Sequence, residues 1–317
     1  HLFYPLFYPI MGFNQNNSIS LLDIQFYLLL LIQKLRIMKK LPYFLMLLVM
    51  FCACGPKQDV ELAVMTFNIR MDTPYDSLNS WQYRKDVAAE IIVNQNIDIV
   101  GTQEVLYNQL SDLNNQLKDY DYIGVGREDG KNKGEFSSIF YNKKRLTLVD
   151  SGTYWLSETP DVPGSKGWNA ACERVATWGI FNIVNTNQQV FAINTHLDHV
   201  SNDARVNGIK LILKQIKKLD KKTPIVLTGD FNSTPDSEVV TYIKNHLIDT
   251  REIAKETYGP NSTFHNFGKI PENDRNIIDY IFVNEGVEVT KYSVLDEKLD
   301  GIFLSDHNPV VANIVLK

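Results

Sequence analysis

Three features of the chain predict an α/β fold. Apolar runs of strand length recur from residue 62 to residue 316. Segments with apolar side chains at helical spacing fall between them, and no shift in composition divides the stretch. In order, residues 62–69 form the first apolar run, and 84–95 place Val87, Ile91 and Ile92 at helical spacing. Residues 98–101 read as a short buried strand and 106–117 as a helix. Strands are expected at 137–149 and 152–156, around Asn142, Lys143 and Lys144, and again at 175–183 and 189–196. The clearest amphipathic helix is 202–219, with Ile209, Ile212, Leu213 and Ile216 on one face and Lys210, Lys214 and Lys217 elsewhere. Residues 224–230, 277–284 and 310–316 complete the strands. No repeat or low-complexity tract interrupts them, and the order of strands in a sheet does not follow from the pattern.

The first residues differ in character. Residues 1–37 are rich in Leu, Phe, Tyr and Ile and carry one acidic residue, Asp23; they read as upstream translation or a disordered segment. Met38-Lys39-Lys40 and the apolar run 41–51 then have the form of a basic n-region and a short h-region, a secretory signal over 38–53. The run ends in Phe51-Cys52-Ala53-Cys54-Gly55. A small residue before a cysteine resembles the bacterial lipobox, and Cys54 fits it better than Cys52 because Ala53 is small and Phe51 is not. Cys54 is thus the expected lipidation site and 54–60 a tether, with 61–317 a single domain held at the outer leaflet of a cell-envelope membrane. An ordinary signal peptide or a lone membrane anchor is the alternative.

Charge and cysteine use narrow the function. Beyond Cys54 only Cys172 remains, which leaves no disulfide within the domain and no cysteine zinc site. Four of the 32 basic and one of the 37 acidic residues precede Cys54, so 28 basic face 36 acidic residues from there on. An acidic surface opposes tight, sequence-blind binding of duplex DNA. A monomer is expected.

Polar residues collect at the ends of the apolar runs. Asn68 follows Met65-Thr66-Phe67, Gln103-Glu104 follows 99–102, and His196 closes 191–195. Asp230-Phe231-Asn232 closes 225–229, Asp279 opens 280–283, and Ser305-Asp306-His307-Asn308-Pro309 precedes Val310. Functional side chains gather at strand ends beside a crevice in open α/β sheets. Singly, each is more often a cap, a turn former or a satisfied structural residue. Together they suit hydrolysis of an anionic phosphate ester. A hard cation such as Mg²⁺ or Mn²⁺ prefers oxygen donors, which Glu104 and Asn68 supply. Asp230 is placed to orient or deprotonate a water, and Asn232, two residues on in an extended segment, to donate to the phosphoryl oxygen. His196 and His307 are donors to the non-bridging oxygens. No serine or cysteine stands in a nucleophile elbow, so direct attack by water is expected.

The six motifs, in this order, resemble the endonuclease/exonuclease/phosphatase superfamily over residues 62–317. That superfamily includes pancreatic deoxyribonuclease, apurinic endonucleases, neutral sphingomyelinases, inositol polyphosphate 5-phosphatases and deadenylases. The resemblance implies a four-layer α/β-β/α sandwich: two mixed, mainly antiparallel sheets face to face with helices outside. It implies Glu104 as the main metal ligand with Asn68 and Asp306 near the metal, Asp230 and Asn232 flanking the water, and Asp279 as the partner of His307.

A second group of residues looks like a bacterial branch frequent among secreted and lipid-anchored proteins. It comprises 155–160, 164–171, Arg174, His199, Arg205 and Thr263-Phe264-His265-Asn266-Phe267. Trp168 and Phe267 are candidate stacking walls, Arg174 and Arg205 candidate anion clamps, and His199 and His265 further pocket residues. Trp155 is expected in the core, and Cys172 as an inert small hydrophobe. The substrate would be a small or medium anionic ester. A secreted nuclease and a non-catalytic ligand-binding lipoprotein are the competing functions.

Overall fold

A computed structural model describes residues 25–33 and 59–317. The signal segment, Cys54 and most of the tether lie outside them. Residues 25–33 are a helix, α1, exposed along its length; no structure was expected there. Residues 59–317 lie in one compact unit.

That unit alternates as the sequence predicts. Strand β1 (Val60–Asn68) leads into helix α2 (Trp81–Asn94), β2 (Ile99–Gln103) and α3 (Tyr107–Gln116). Next come β3 (Tyr120–Ile123), β4 (Ile139–Asn142), β5 (Leu146–Trp155), β6 (Val175–Ile183) and β7 (Gln189–His196). Helix α4 (Asn202–Ile216), β8 (Ile225–Asp230), α5 (Glu238–Lys244), β9 (Ile248–Asp249), α6 (Thr250–Ile253) and β10 (Glu256–Tyr258) follow. The chain closes with β11 (Asp279–Val283), β12 (Val287–Val294), the small hairpin β13 (Lys298–Leu299) and β14 (Ile302–Phe303), and β15 (Val310–Leu316).

Two sheets result, ordered β10-β12-β15-β1-β2-β4-β3 and β5-β6-β7-β8-β11-β9. Among the described strands only β1/β2, β7/β8 and β10/β12 pair in parallel. Apolar side chains from both sheets, among them Val64, Ile99, Phe181, Ala192, Val226, Ile281 and Ile314, form one core between them. A second core packs Met65, Phe67, Val100 and Phe140 against α2 and α3, and a third packs Ile193, Leu227 and Phe282 against α4 and α5. The four layers are therefore helix, sheet, sheet, helix, as the motifs implied. Strands β1, β2, β8 and β11 are buried on both faces, which is why they are continuous apolar runs and not alternating ones. Edge strand β5 has one half-exposed face.

Several expectations need correction. The tether is shorter than expected, because Val60 already pairs with Leu316. The break expected near residues 149–152 is a bulge between Leu148 and Asp150, and β5 runs through it. Strand β12 escaped the sequence reading. A bulge between Val289 and Lys291 shifts its register against β15 and breaks the alternation by which it would have been seen. Helix α4 stops at Ile216; Ser201 opens it, accepting the Ala204 N–H.

Candidate active site

Register brings the polar strand ends to one rim. Asn68 lies opposite Gln103, His196 opposite Asp230, and Asp279 opposite Asp230. Below them the two sheets are riveted by buried polar groups. Gln103 Nε2 donates to Thr66 Oγ1 at 3.1 Å and to Asn194 Oδ1 at 2.6 Å, and Thr228 Oγ1 donates to Asn194 Oδ1 at 3.0 Å. Asn194 Nδ2 donates to the carbonyls of Thr102 and Ser138, both at 2.9 Å. Just past the strand ends, Arg70, Glu104 and Asn232 take left-handed backbone conformations, φ 57°, 59° and 46°. Such conformations cost about 1–2 kcal/mol each in a non-glycine residue and cluster where function requires them. Asn232 is thus in a tight turn and not in an extended segment.

The rim surrounds a cleft of about 410 Å³ lined by Glu104, Asp306, Arg70, His307, Asp230, Asn232 and His196 at one end. Arg127, Glu135, Cys172, Arg174 and His199 line it further along, with Met71, Phe264 and Ile278 completing the wall.

Asp230 is 1 % exposed. Its Oδ2 accepts from Asn68 Nδ2 at 2.9 Å and lies 3.5 Å from His196 Nε2 and 3.8 Å from His307 Nε2; its Oδ1 accepts the Asn232 N–H at 2.9 Å. Burial and the Asp279 charge push its carboxyl up to about 7, with His307 and the Asn232 and Asn68 donors opposing. His307 Nδ1 donates to Asp279 Oδ2 at 2.9 Å. Burial works against its charge, but Asp279, Asp230 and Asp306 together raise it to about 10, so the ring is a cation at neutral pH. His196 behaves oppositely. Burial and the neighbouring Arg174 and Arg127 charges hold it well below its ordinary range. Asn232 Nδ2 donates to the Leu197 carbonyl at 3.0 Å, which can only accept, so the same amide nitrogen also donates to His196 Nε2 at 3.1 Å. The His196 proton therefore sits on Nδ1, 3.8 Å from Glu135 Oε2.

This corrects one role. With both amide hydrogens of Asn232 engaged, its carbonyl oxygen, and not an N–H, is left for the cleft. Asn68 accepts the Arg70 N–H on Oδ1 at 3.0 Å and turns its Nδ2 to Glu104 Oε1 and Asp230 Oδ2 at 3.1 and 2.9 Å. Its Nδ2 spaces two carboxylates, while its Oδ1, which accepts one hydrogen bond, keeps a second lone pair for a cation beside Glu104.

Glu104 and Asp306 are the carboxylates free to take one. Burial would raise Glu104, but His307, Arg70 and the Met71 and Asn68 donors hold it below its ordinary range. Two hard oxygen donors on one wall, one of them held ionised, fit a divalent cation such as Mg²⁺ or Mn²⁺. Asp230, Asp279 and His307 also place ligand atoms within 4.8 Å of one another. The Nδ1–H bond to Asp279 already gives that trio its positive charge. Cys172, Asp198 and His199 form a similar group, but the Asp198 oxygens accept from Val200, Ser201 and Ala171 and face Arg174, which leaves no lone pair for a metal.

The outer candidates divide. Arg174 and His199 line the cleft; Trp168, Arg205, His265 and Phe267 do not. Trp168 packs beside the third core. Arg205 donates to the Asp198 carbonyl at 2.8 Å. Phe267 packs on the buried Arg84 guanidinium and on Phe303. His265 is fully buried, accepts the Gly268 N–H, and is pushed down to about 4 mainly by burial. Within that motif the aromatic at the site is Phe264, whose extended backbone bridges Asn276 and His307 and whose ring lies 4.8 Å from that of His307. Neighbours in extended chain face opposite ways, so His265 points into the protein. Trp155 is core, as expected, and donates to the Arg127 carbonyl at 2.6 Å.

Three charged cleft residues were missed: Arg70, Arg127 and Glu135. Arg70 pairs with Asp76 at 3.0 Å and lies 3.7 Å from Glu104 and 3.8 Å from Asp306. Its place two residues after Asn68 was the available signal. Arg127 and Glu135, joined at 2.7 Å, come from the loop between β3 and β4, where nothing in the sequence marks them.

Residues 65–307 match the model of the Endonuclease/Exonuclease/phosphatase family. The chain belongs to this family. Its members are metal-dependent phosphoesterases and nucleases. Among solved structures, a Bacteroides vulgatus member of the endonuclease/exonuclease/phosphatase family is 44 % identical, with TM-score 0.79, covering 81 % of this chain and 100 % of its own. A mannosyl-6-phosphatase of Bacteroides thetaiotaomicron is 38 % identical, with TM-score 0.75, covering 80 % and 100 %. A probable CCR4-Not complex 3'-5'-exoribonuclease subunit of Vairimorpha ceranae is 24 % identical over 78 % of this chain, which spans 61 % of that relative's length.

Proposed function

We propose that this protein is a Mg²⁺- or Mn²⁺-dependent hydrolase of a small phosphate ester, acting by direct attack of water. The observation that carries this reading is the placing of Asp230, buried between cationic His307 and neutral His196, on the same cleft wall as Glu104 and Asp306. Asp230 takes the proton of the attacking water, since a base with its carboxyl near neutrality can both accept and release it. His307, held charged and oriented by Asp279, donates from Nε2 to a non-bridging oxygen. Glu104 and Asp306 would hold the cation, which when bound neutralises charge on the phosphoryl oxygens. Asn68 keeps Glu104 and Asp230 apart at hydrogen-bonding distance. The small cleft, the acidic balance of the chain and the name of the mannosyl-6-phosphatase relative all favour a compact ester, such as a sugar phosphate, over a nucleic acid.

The test is a panel of phosphomonoesters and phosphodiesters assayed with Mg²⁺, Mn²⁺, Ca²⁺ and EDTA. Hydrolysis that survives EDTA, or that Glu104→Ala and Asp230→Asn leave intact, overturns the mechanism. Cleavage of DNA alone favours the nuclease. The leader supports a cell-envelope location through lipid on Cys54; incorporation of labelled lipid that persists in Cys54→Ser would refute it.

A further inference from the structure

The far wall of the cleft is built for something other than phosphate. Arg127 Nη1 donates to Glu135 Oε2 at 2.7 Å, and Arg174 Nε lies 3.4 Å from Asp198 Oδ2. Despite burial, the Ser201, Val200 and Ala171 N–H groups and Arg174 hold Asp198 below its ordinary range, so it is ionised. Each guanidinium thus has its own carboxylate, and the wall has little surplus positive charge to attract a second anion. Arg174 Nη2 also donates to His199 Nδ1 at 2.9 Å, which puts the His199 proton on Nε2. His199 is exposed and presents that N–H. Arg174 is only 4 % exposed. Its Nη1, Arg127 Nε and His196 Nδ1 are buried donors without a hydrogen-bond partner, an arrangement native proteins rarely leave unused.

The wall therefore mixes donors (Arg127, Arg174, His199) with an acceptor, Glu135. A fully ionised phosphate or sulfate only accepts hydrogen bonds and would meet the Glu135 carboxylate. A nucleobase would want a flat apolar face, and the one phenyl ring lining the cleft, Phe264, lies tilted against the His307 ring. A hydroxyl both donates and accepts, and neighbouring hydroxyls on a ring match a guanidinium–carboxylate pair.

We infer that Arg127, Glu135, Arg174 and His199 form a leaving-group subsite that recognises the hydroxyls of a sugar ring. The inference rests on the reading of the site as a phosphate-ester hydrolase and names the substrate class. Glu135 accepts from one hydroxyl while Arg127 and Arg174 donate to its neighbours, which fixes the ester with its leaving oxygen on the subsite side of the phosphorus, in line with and opposite to the water on Asp230. The apposed pairs and His199 come from three segments, the β3–β4 loop, Arg174 just before β6, and Asp198 and His199 just after β7. Trp155, bonded to the Arg127 carbonyl, and Ala171, bonded to Asp198, hold them in place.

The test compares kcat/KM for a hexose 6-phosphate and for phenyl phosphate in the wild type, Glu135→Gln and Arg174→Met, with saturation-transfer NMR of the free hexose as a binding readout. The wild type is expected to prefer the hexose ester by about 10²-fold, and each variant to lose roughly tenfold or more of that preference, the usual cost of leaving a site's polar groups unpaired. Saturation transfer to the hexose should appear with the wild type and vanish in both variants. No wild-type preference together with no saturation transfer overturns the subsite, as does a proportionate loss on both esters in the variants. Hexose binding that the variants abolish, in a protein that hydrolyses no ester, leaves the subsite standing and removes the proposed function instead.

Discussion

At the residue scale the site turns on two carboxylates with opposite tasks. Asp279 is 1 % exposed and hydrogen-bonded to His307, and Asp230, opposite it in the sheet, is raised toward neutrality partly by that same charge. Asp279→Asn keeps the shape and removes the charge. His307 then loses its strongest support, and Asp230 loses the neighbour that raises it. Steady-state kinetics should show kcat down on the order of 10²–10³-fold with KM changed little; a loss under threefold would mean that the pair is structural. Away from the cleft, Asp249 offers a test of stability. It is 5 % exposed, and burial pushes its carboxyl from 3.8 up to about 6. The folded chain therefore binds more protons there than the unfolded chain between about pH 4 and 6, and stability falls as pH rises through that window. Asp249→Asn retains the acceptor that caps α6 and should raise stability above pH 6 by on the order of 2 kcal/mol, measured by urea unfolding. A pH profile parallel to the wild type would contradict this.

At the element scale, the strand ends are held by the rivet beneath them. A methyl group on Gly101 would overlap Thr228 Oγ1 and meet Asn194 Oδ1 at 2.5 Å. Gly101→Ala must push apart β2, β7 and β8 where they carry Glu104, His196 and Asp230. A loss of about 3 kcal/mol in unfolding free energy is expected from overpacking with broken buried hydrogen bonds, and activity should fall further than stability alone explains. Wild-type stability in this variant would show that the sheets have slack here. Helix α2 contributes from its other side. Buried Arg84 donates to the carbonyls of Ile69, Arg70 and Leu304, so one helical side chain ties together the turn after β1 and the loop leading to Asp306.

At the scale of the whole molecule, charge argues against long nucleic acid. From Cys54 on, acidic residues outnumber basic ones by eight. Fluorescence anisotropy with labelled duplex DNA should show no binding at micromolar protein and physiological salt, and little salt dependence. Tight binding that weakens steeply with salt would reveal a basic track that the net charge conceals. The proportions of the cleft point the same way, since its volume suits one small ligand.

What the sequence determined by itself is the set of residues that no α/β protein of this kind could place otherwise. Asp230, Asp279, His307, His196, Glu104 and Asp306 sit next to apolar runs, and a run buried on both faces must be a strand whose ends reach the rim. Their order along the chain sufficed for the family. Tertiary structure alone decided which atoms they present and what faces them. The direction of the Asn68 and Asn232 amides depends on the carbonyls and carboxylates that other segments bring to them, and the neutrality of His196 on its burial and then on Arg174 and Arg127. Trp168, Phe267 and His265 have the residue types of a pocket but are claimed elsewhere, His265 by alternation with Phe264, Phe267 by the packing around Arg84, and Trp168 by the third core. Arg127 and Glu135 carry no local mark, since a loop is aimed by the elements it joins and by contacts distant in sequence, here the Trp155 bond to the Arg127 carbonyl.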